Sequence, residues 1–167
     1  KPIRVGPGVL DSEAYGVKSN STDMLKFVAA NMRSTHATDD SLQRAIAGTQ
    51  TGYFKVAGMT QGLGWEMHPY PLTLDRLLED NSPSMSRQAN AVTRLNPPLP
   101  PQHKVLVNKT GSTNGFGAYV AFVPAKGMGI VMLANKNYPI PARVKAAFDV
   151  LTALETQTIE GPAARRK

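Results

Sequence analysis

Between Lys104 and Asn135 the chain passes through three apolar segments, 104–110, 117–123 and 128–135, separated only by turns at Ser112 to Phe116 and Pro124 to Gly127. No other feature restricts the fold as much, because connections this short join neighbouring strands only when those strands run antiparallel. A meander needs a cover for its apolar face, and the next segment supplies one. Pro141 opens a stretch in which Val144, Ala147, Phe148, Leu151 and Leu154 form a stripe at helical spacing, ending before Gly161-Pro162. An antiparallel sheet covered by a C-terminal helix is expected.

Upstream, the periodicity is helical. Ser21-Thr22-Asp23 leads into Met24, Leu25, Phe27, Val28 and Met32, which predicts a helix from about Ser21 to Met32 behind a good N-cap. Leu42, Ala45, Ile46 and Thr49 share one face of a second helix that begins near Thr38 or Asp39 and gives way before Gly52. Thr60 to Met67 reads as a strand in which Gly62 and Gly64 admit close backbone approach. From Asn81 to His103 the composition turns to Ser, Asn, Arg and Pro, ending in Pro97-Pro98-Leu99-Pro100-Pro101. That run is read as a long extended rim loop that does not pair in a sheet. The chain thus divides into 1–80, the end of a helical region with an omega-type loop; 81–103, the Pro-rich rim loop; 104–156, sheet strands plus the C-terminal helix; and 157–167, a basic tail.

Composition removes several function classes. The formal charge of +7 suggests nucleic acid, but Arg165, Arg166 and Lys167 form a terminal cluster that inflates it, and only 7% of residues are aromatic. No nucleic-acid partner is expected. The apolar runs are too short for a membrane-spanning helix, and Lys1-Pro2-Ile3-Arg4 has neither a signal-peptide core nor an initiator Met, so the chain reads as a processed product, an expression fragment or a piece of something larger. The absence of cysteine excludes a disulfide framework and a thiol nucleophile but leaves the compartment open. His36, His68 and His103 are too scattered to form a metal-ligand pattern, and the Gly111–Gly117 segment has its lysine before its glycines, unlike a phosphate loop.

The chemistry concentrates at Asn108-Lys109-Thr110-Gly111-Ser112, where an ammonium, a hydroxyl and a bare backbone position stand at the end of the apolar run Val105-Leu106-Val107. A lysine there can anchor a carboxylate or lower the proton affinity of a neighbouring base. Gly111 lets an amide-containing substrate pair along the strand edge, and the Ser112 amide can point at a developing oxyanion. The plainer reading is a solvated lysine at a hairpin end. Glu66, beside Trp65, is read as a half-exposed strand residue rather than a catalytic carboxylate.

Taken together, Thr60 to Met67, Asn108 to Pro124, Leu133-Ala134-Asn135-Lys136-Asn137-Tyr138-Pro139 and Ala142-Arg143-Val144 resemble class C β-lactamases, in which Lys-Thr-Gly is one of three signature elements. Val5-Gly6-Pro7-Gly8 through Val17-Lys18 resembles the omega-type loop of the same family. The resemblance runs from Pro2 to Leu154 and implies an α/β (α+β) fold of the β-lactamase/transpeptidase type, an antiparallel sheet flanked by helices. This chain would contribute part of the helical region, about three sheet strands and the C-terminal helix, as the carboxy-terminal portion of such an enzyme.

The family implies a periplasmic serine hydrolase that opens β-lactams, cephalosporins above all, through an acyl-enzyme, without a cofactor or metal. Its other two elements, Ser-x-x-Lys in a fitting place and Tyr-x-Asn, are missing, which assigns the nucleophile and base to other sequence and predicts that this segment alone is inactive. Carried over by position, Lys109 supports the base electrostatically, Thr110 and Gly111 bind substrate, and Ser112 offers its amide to the oxyanion. Tyr15 flanks the acyl side chain, while Asn137 and Arg143 recognise the substrate carboxylate. A cation in the first helical turn opposes the macrodipole, which favours such a role for Arg143. Ile140 departs from the family's Asn and can neither cap the helix nor bind a carboxylate, leaving recognition to Thr110 and Arg143. The expected partner is a small-molecule β-lactam, and the complete protein is expected to be a monomer. The alternatives are a D-alanyl-D-alanine peptidase or esterase of the same fold, and a non-catalytic peptidoglycan-binding module.

Overall fold

The computed structural model describes residues 17–33 and 40–159. Helix α1 (Ser21–Arg33) starts where expected, with Asn20 as its cap. The Asn20 Oδ1 accepts from the Asp23 amide at 3.0 Å while its Nδ2 donates to the Asp23 carboxylate at 2.8 Å, so two polar groups satisfy each other at the helix start. Helix α2 (Ser41–Thr49) is capped by Asp40, whose side chain accepts from the Leu42 amide.

Then come strands β1 (Gly52–Val56), β2 (Met59–Gln61) and β3 (Glu66–Pro69), helices α3 (Leu74–Asp80) and α4 (Pro83–Arg87), and strand β4 (Val92–Leu99). The C-terminal part is β5 (Val105–Ser112), β6 (Gly117–Val123), a 3₁₀ turn at Pro124–Lys126, β7 (Met128–Ala134) and α5 (Ile140–Ile159). Among the described residues these strands form one sheet in the order β4-β1-β2-β3-β5-β6-β7, with every neighbouring pair antiparallel.

The expected meander is the β5–β6–β7 end of this sheet. Four further strands extend it, three of them in the 52–69 stretch that the sequence places in the helical region. The Thr60–Met67 stretch is the end of β2, a turn at 62–65 and the start of β3 rather than one strand. Gly62 does need close approach, since a Cβ there would stand 2.5 Å from the Thr49 carbonyl, and Gly64 takes φ +88°, which favours glycine. The Pro-rich 81–103 segment holds α4 and β4 and is therefore no loop throughout. β4 is the sheet's edge, so one side of it needs no donors, and Pro97 and Pro98 fall where its pairing with β1 is irregular, between Arg94↔Phe54 and Leu99↔Gly52.

Two apolar layers lie on the two faces. Val105 and Val107 of β5 join Val120 and Phe122 of β6, Trp65 and Met67 against Val28 of α1. Alternation sends Leu106, Tyr119, Ala121 and Val123 to the other face, against Leu77 of α3 and Val144, Ala147 and Leu151 of α5. Trp65 meets Phe122 edge-on with ring centroids 5.3 Å apart. Burial of each large side chain contributes about 1.5–3 kcal/mol. A Cβ on Gly129 would stand 2.9 Å from the Val28 side chain, which shows how closely α1 rests on β7. Leu154, the last residue of the expected stripe, is exposed, so α5 leaves the core after Leu151.

Candidate functional site

Strand β5 outlasts its neighbour on one side. β3 pairs with it only from Pro69↔Val105 to Glu66↔Asn108, whereas β6 follows it as far as Ser112↔Gly117. Lys109 to Ser112 therefore have a strand on one edge and none on the other among the described residues. A Cβ on Gly111 would meet only Ala118, at an ordinary 3.7 Å, so crowding within the chain does not require glycine there. The bare position instead leaves the free edge open to an approaching backbone.

The residues flanking this edge form a polar relay. The Lys109 ammonium donates to Glu66 Oε1 at 2.9 Å, and Glu66 Oε2 accepts from Asn108 Nδ2 at 3.1 Å. Asn108 Oδ1 in turn accepts from the Tyr119 hydroxyl at 3.0 Å and from Asn81 Nδ2 at 3.1 Å. Asn108 and Tyr119 are fully buried, while the Lys109 side chain is 46% exposed. The relay thus runs from the core to a half-solvated cation. Burial, with the nearby Glu66 carboxylate as a lesser cause, raises the Tyr119 hydroxyl far above the ordinary tyrosine range and keeps it a neutral donor.

Beside the free edge lies a cleft of about 510 Å³, walled by Lys109, Thr110 and Gly111, by Trp65, and by α1 and α2 through Phe27 and Ile46. The ammonium therefore stands at a mostly apolar hollow rather than on an open surface. Lys109, Thr110 and Gly111 line this cleft together. Ser112 closes the strand, with its hydroxyl turned to Arg143. Asn137 is exposed in the link between β7 and α5 and is not among the cleft's lining residues. Tyr15 lies outside the described residues.

Arg143, expected to recognise a substrate carboxylate, is taken up by oxygens of the chain itself. It is 1% exposed, and its Nη1 donates to the carbonyls of Gly111 at 2.6 Å and Ala118 at 2.9 Å while Nη2 donates to Ser112 Oγ at 2.7 Å. The cation at the start of α5 is compensated by these oxygens and by the Tyr138 ring, 5.5 Å from its guanidinium carbon. A substrate carboxylate would have to displace them. Gly117 makes the arrangement possible, since a Cβ there would stand 3.1 Å from Nη1.

Ile140 does not cap α5, as expected, but the helix starts at Ile140 itself, one residue before the expected Pro141: the Ala142 and Arg143 amides both donate to the Pro139 carbonyl, and the Ile140 side chain packs against the α5 core. Sequence reasoning discounted Glu66 and assigned no role to Asn108. The signal for Asn108 was its place in register with Leu106, which puts a polar side chain on a buried face where it needs partners. No signal marked Glu66 as the partner of Lys109, 43 positions away. Among the described residues no group of three or more His, Cys, Asp or Glu is placed to hold a metal, and no helix is long and apolar enough to cross a membrane.

A family model described as Beta-lactamase matches residues 1–155. The curated β-lactamase of Pseudomonas fluorescens is 55% identical over 155 residues, covering 93% of this chain and 43% of that protein. Among solved structures, the D-alanine carboxypeptidase AmpC from Burkholderia cenocepacia aligns with a TM-score of 0.85 at 51% identity, over 92% of this chain and 44% of that one. A class C β-lactamase in complex with cefoxitin aligns with a TM-score of 0.83 at 50% identity, over 92% and 42%. The chain spans less than half the length of these relatives.

Proposed function

The chain belongs to the beta-lactamase family, and from that premise we propose that it forms the Lys-Thr-Gly wall of a class C serine β-lactam hydrolase whose nucleophile and general base come from a longer polypeptide. The observation that carries the reading is the free edge of β5 from Lys109 to Ser112, flanked by an ammonium and a cleft. A substrate amide pairs along that edge as an added strand. The serine oxygen attacks the lactam carbonyl, and the Ser112 N–H stabilises the oxyanion as it forms. The C–N bond then breaks, the ring nitrogen takes the proton relayed from the serine, and water hydrolyses the resulting ester.

In this reading Lys109, held by Glu66, raises the positive potential at the base, and the Thr110 hydroxyl holds the substrate carboxylate. The complete enzyme works in the periplasm, as a monomer, on cephalosporins. A second reading is favoured by the similarity to the D-alanine carboxypeptidase AmpC of Burkholderia cenocepacia: the same wall serves a peptidase that releases a β-lactam acyl group slowly.

Turnover of a chromogenic cephalosporin tests the proposal directly. The full-length protein is expected to hydrolyse it, and residues 1–167 alone are expected to give no turnover above the buffer. Hydrolysis by the 167-residue chain would refute the division of the site. For the full-length protein, an acyl-enzyme that persists in mass spectra for hours selects the peptidase, and a protein that never acylates is a binding module.

A further inference from the structure

Arg143 reaches both members of one cross-strand pair. Its Nη1 bonds the carbonyl oxygens of Gly111 and Ala118, which face each other in the β5–β6 register, so the Gly111 oxygen lies on the β6 side of its strand. That oxygen belongs to the same peptide unit as the Ser112 N–H. The unit is trans, and in a trans peptide the N–H points opposite to the C=O, which directs the Ser112 N–H away from β6 and toward the open edge of β5. The second arm of the guanidinium holds Ser112 Oγ at 2.7 Å, so both sides of this peptide unit are gripped by one rigid planar group.

We infer that Arg143 is a positioning residue that aims and polarises the Ser112 amide for the oxyanion, acting through the Gly111 carbonyl rather than by binding the substrate carboxylate. The inference rests on the proposed acyl transfer. A cation bonded to a carbonyl draws electron density along the peptide and makes its N–H a stronger donor. The benefit appears where negative charge develops, in the transition state, so the group acts on kcat more than on KM. The surroundings suit this role. The Tyr138 ring flanks the guanidinium, Gly117 leaves it room against the strand, and the side chain is sealed from water, where its charge acts most strongly.

The test uses the full-length enzyme with Arg143→Lys, Arg143→Ala and Ser112→Ala, assayed on a cephalosporin and on the same compound with its carboxylate esterified. Infrared spectroscopy of the acyl-enzyme reads the ester carbonyl band, whose position reports the donors on that oxygen. A lysine cannot bridge the Gly111 and Ala118 carbonyls as a planar fork does, so Arg143→Lys is expected to lower kcat by about 10- to 100-fold. KM is expected to stay within about twofold, because this interaction is made mainly in the transition state. The loss should be equal for the two substrates, and the carbonyl band should move to higher wavenumber. Ser112→Ala removes one arm of the grip and should give the same pattern at a few-fold.

Thermal melts identify a variant that has lost its fold. If Arg143→Ala is such a variant, the folded Arg143→Lys and Ser112→Ala enzymes decide. A loss seen in KM alone and only for the free carboxylate overturns the inference in favour of direct recognition. An unchanged kcat with an unmoved band in folded Arg143→Lys overturns it as well. A wild-type protein that forms no acyl-enzyme with any β-lactam overturns the acyl-transfer reading, and the inference falls with it.

Discussion

Glu66 and His68 stand two residues apart on β3 and face the same side of the sheet, yet their partners leave them in opposite conditions. Glu66 is the first residue of β3 and meets Lys109, whose side chain is 46% exposed. His68 lies under α3, where its Nδ1 is 3.1 Å from Asp80 Oδ2 and both side chains are 1% exposed. Asp80 also takes a two-pronged hold from Arg76, through Nε at 3.1 Å and Nη2 at 2.9 Å, with the guanidinium settled over Gly58. The first pair keeps a cation partly in water at the lip of a cleft. The second is locked into the join between helix and sheet. Two ionisable side chains on one strand thus serve opposite ends, and the length of the neighbouring element decides which.

Breaking the locked pair should have the largest effect. Asp80→Ala leaves a buried imidazole nitrogen without its partner and the partly exposed Arg76 guanidinium without its carboxylate, and a buried polar group left unsatisfied costs about 1–3 kcal/mol. Chemical denaturation of the full-length protein checks this, and a loss under about 1 kcal/mol would place the pair with ordinary surface ion pairs.

Acid should sharpen the contrast more gently. Burial lowers the His68 pKa from its ordinary 6.5, outweighing the attraction of Asp80, which raises it. The unfolded chain therefore takes up the proton first as pH falls, so this contribution to stability is complete above 6.5 and is lost progressively below it. Melting temperatures measured from about pH 8 to about pH 5 should decline once below that value, and His68→Leu should remove that part of the decline. A wild-type profile that stays flat through the window would contradict it.

Glu66→Gln should have the smallest effect on stability. It keeps hydrogen-bonding atoms near Asn108 and Lys109 while removing one charge from a half-solvated pair, so the unfolding free energy should change by less than about 1 kcal/mol. A loss as large as that of Asp80→Ala would erase the distinction between the two clusters.

Much of this architecture was legible in residue order. The alternation of Val105, Leu106, Val107 and of Tyr119, Val120, Ala121, Phe122 assigns each side chain to one of the two apolar layers without reference to tertiary contacts. The start of α1 behind Asn20 and of α5 near Pro141 follows from capping chemistry and the fixed φ of proline. What misled was equally local. Prolines at 97 and 98 argued against a strand because edge and interior positions look alike in sequence, and 52–69 holds three short strands where the sequence suggested one over Thr60–Met67, each too brief for its hydrophobic pattern to have a period.

Arg143 marks the boundary most clearly. Sequence identified a cation in the first turn of a helix, in the wrong place for the macrodipole, and so in need of compensation. The source of that compensation could not be read from position, because the oxygens of Gly111, Ser112 and Ala118 lie 25 to 32 residues away. Periodicity and capping are interactions within one turn or one pleat, and a single stretch of chain determines them. Which donors are consumed inside and which are left facing a cleft depends on where separate strands end beside one another, and only the folded sheet decides that.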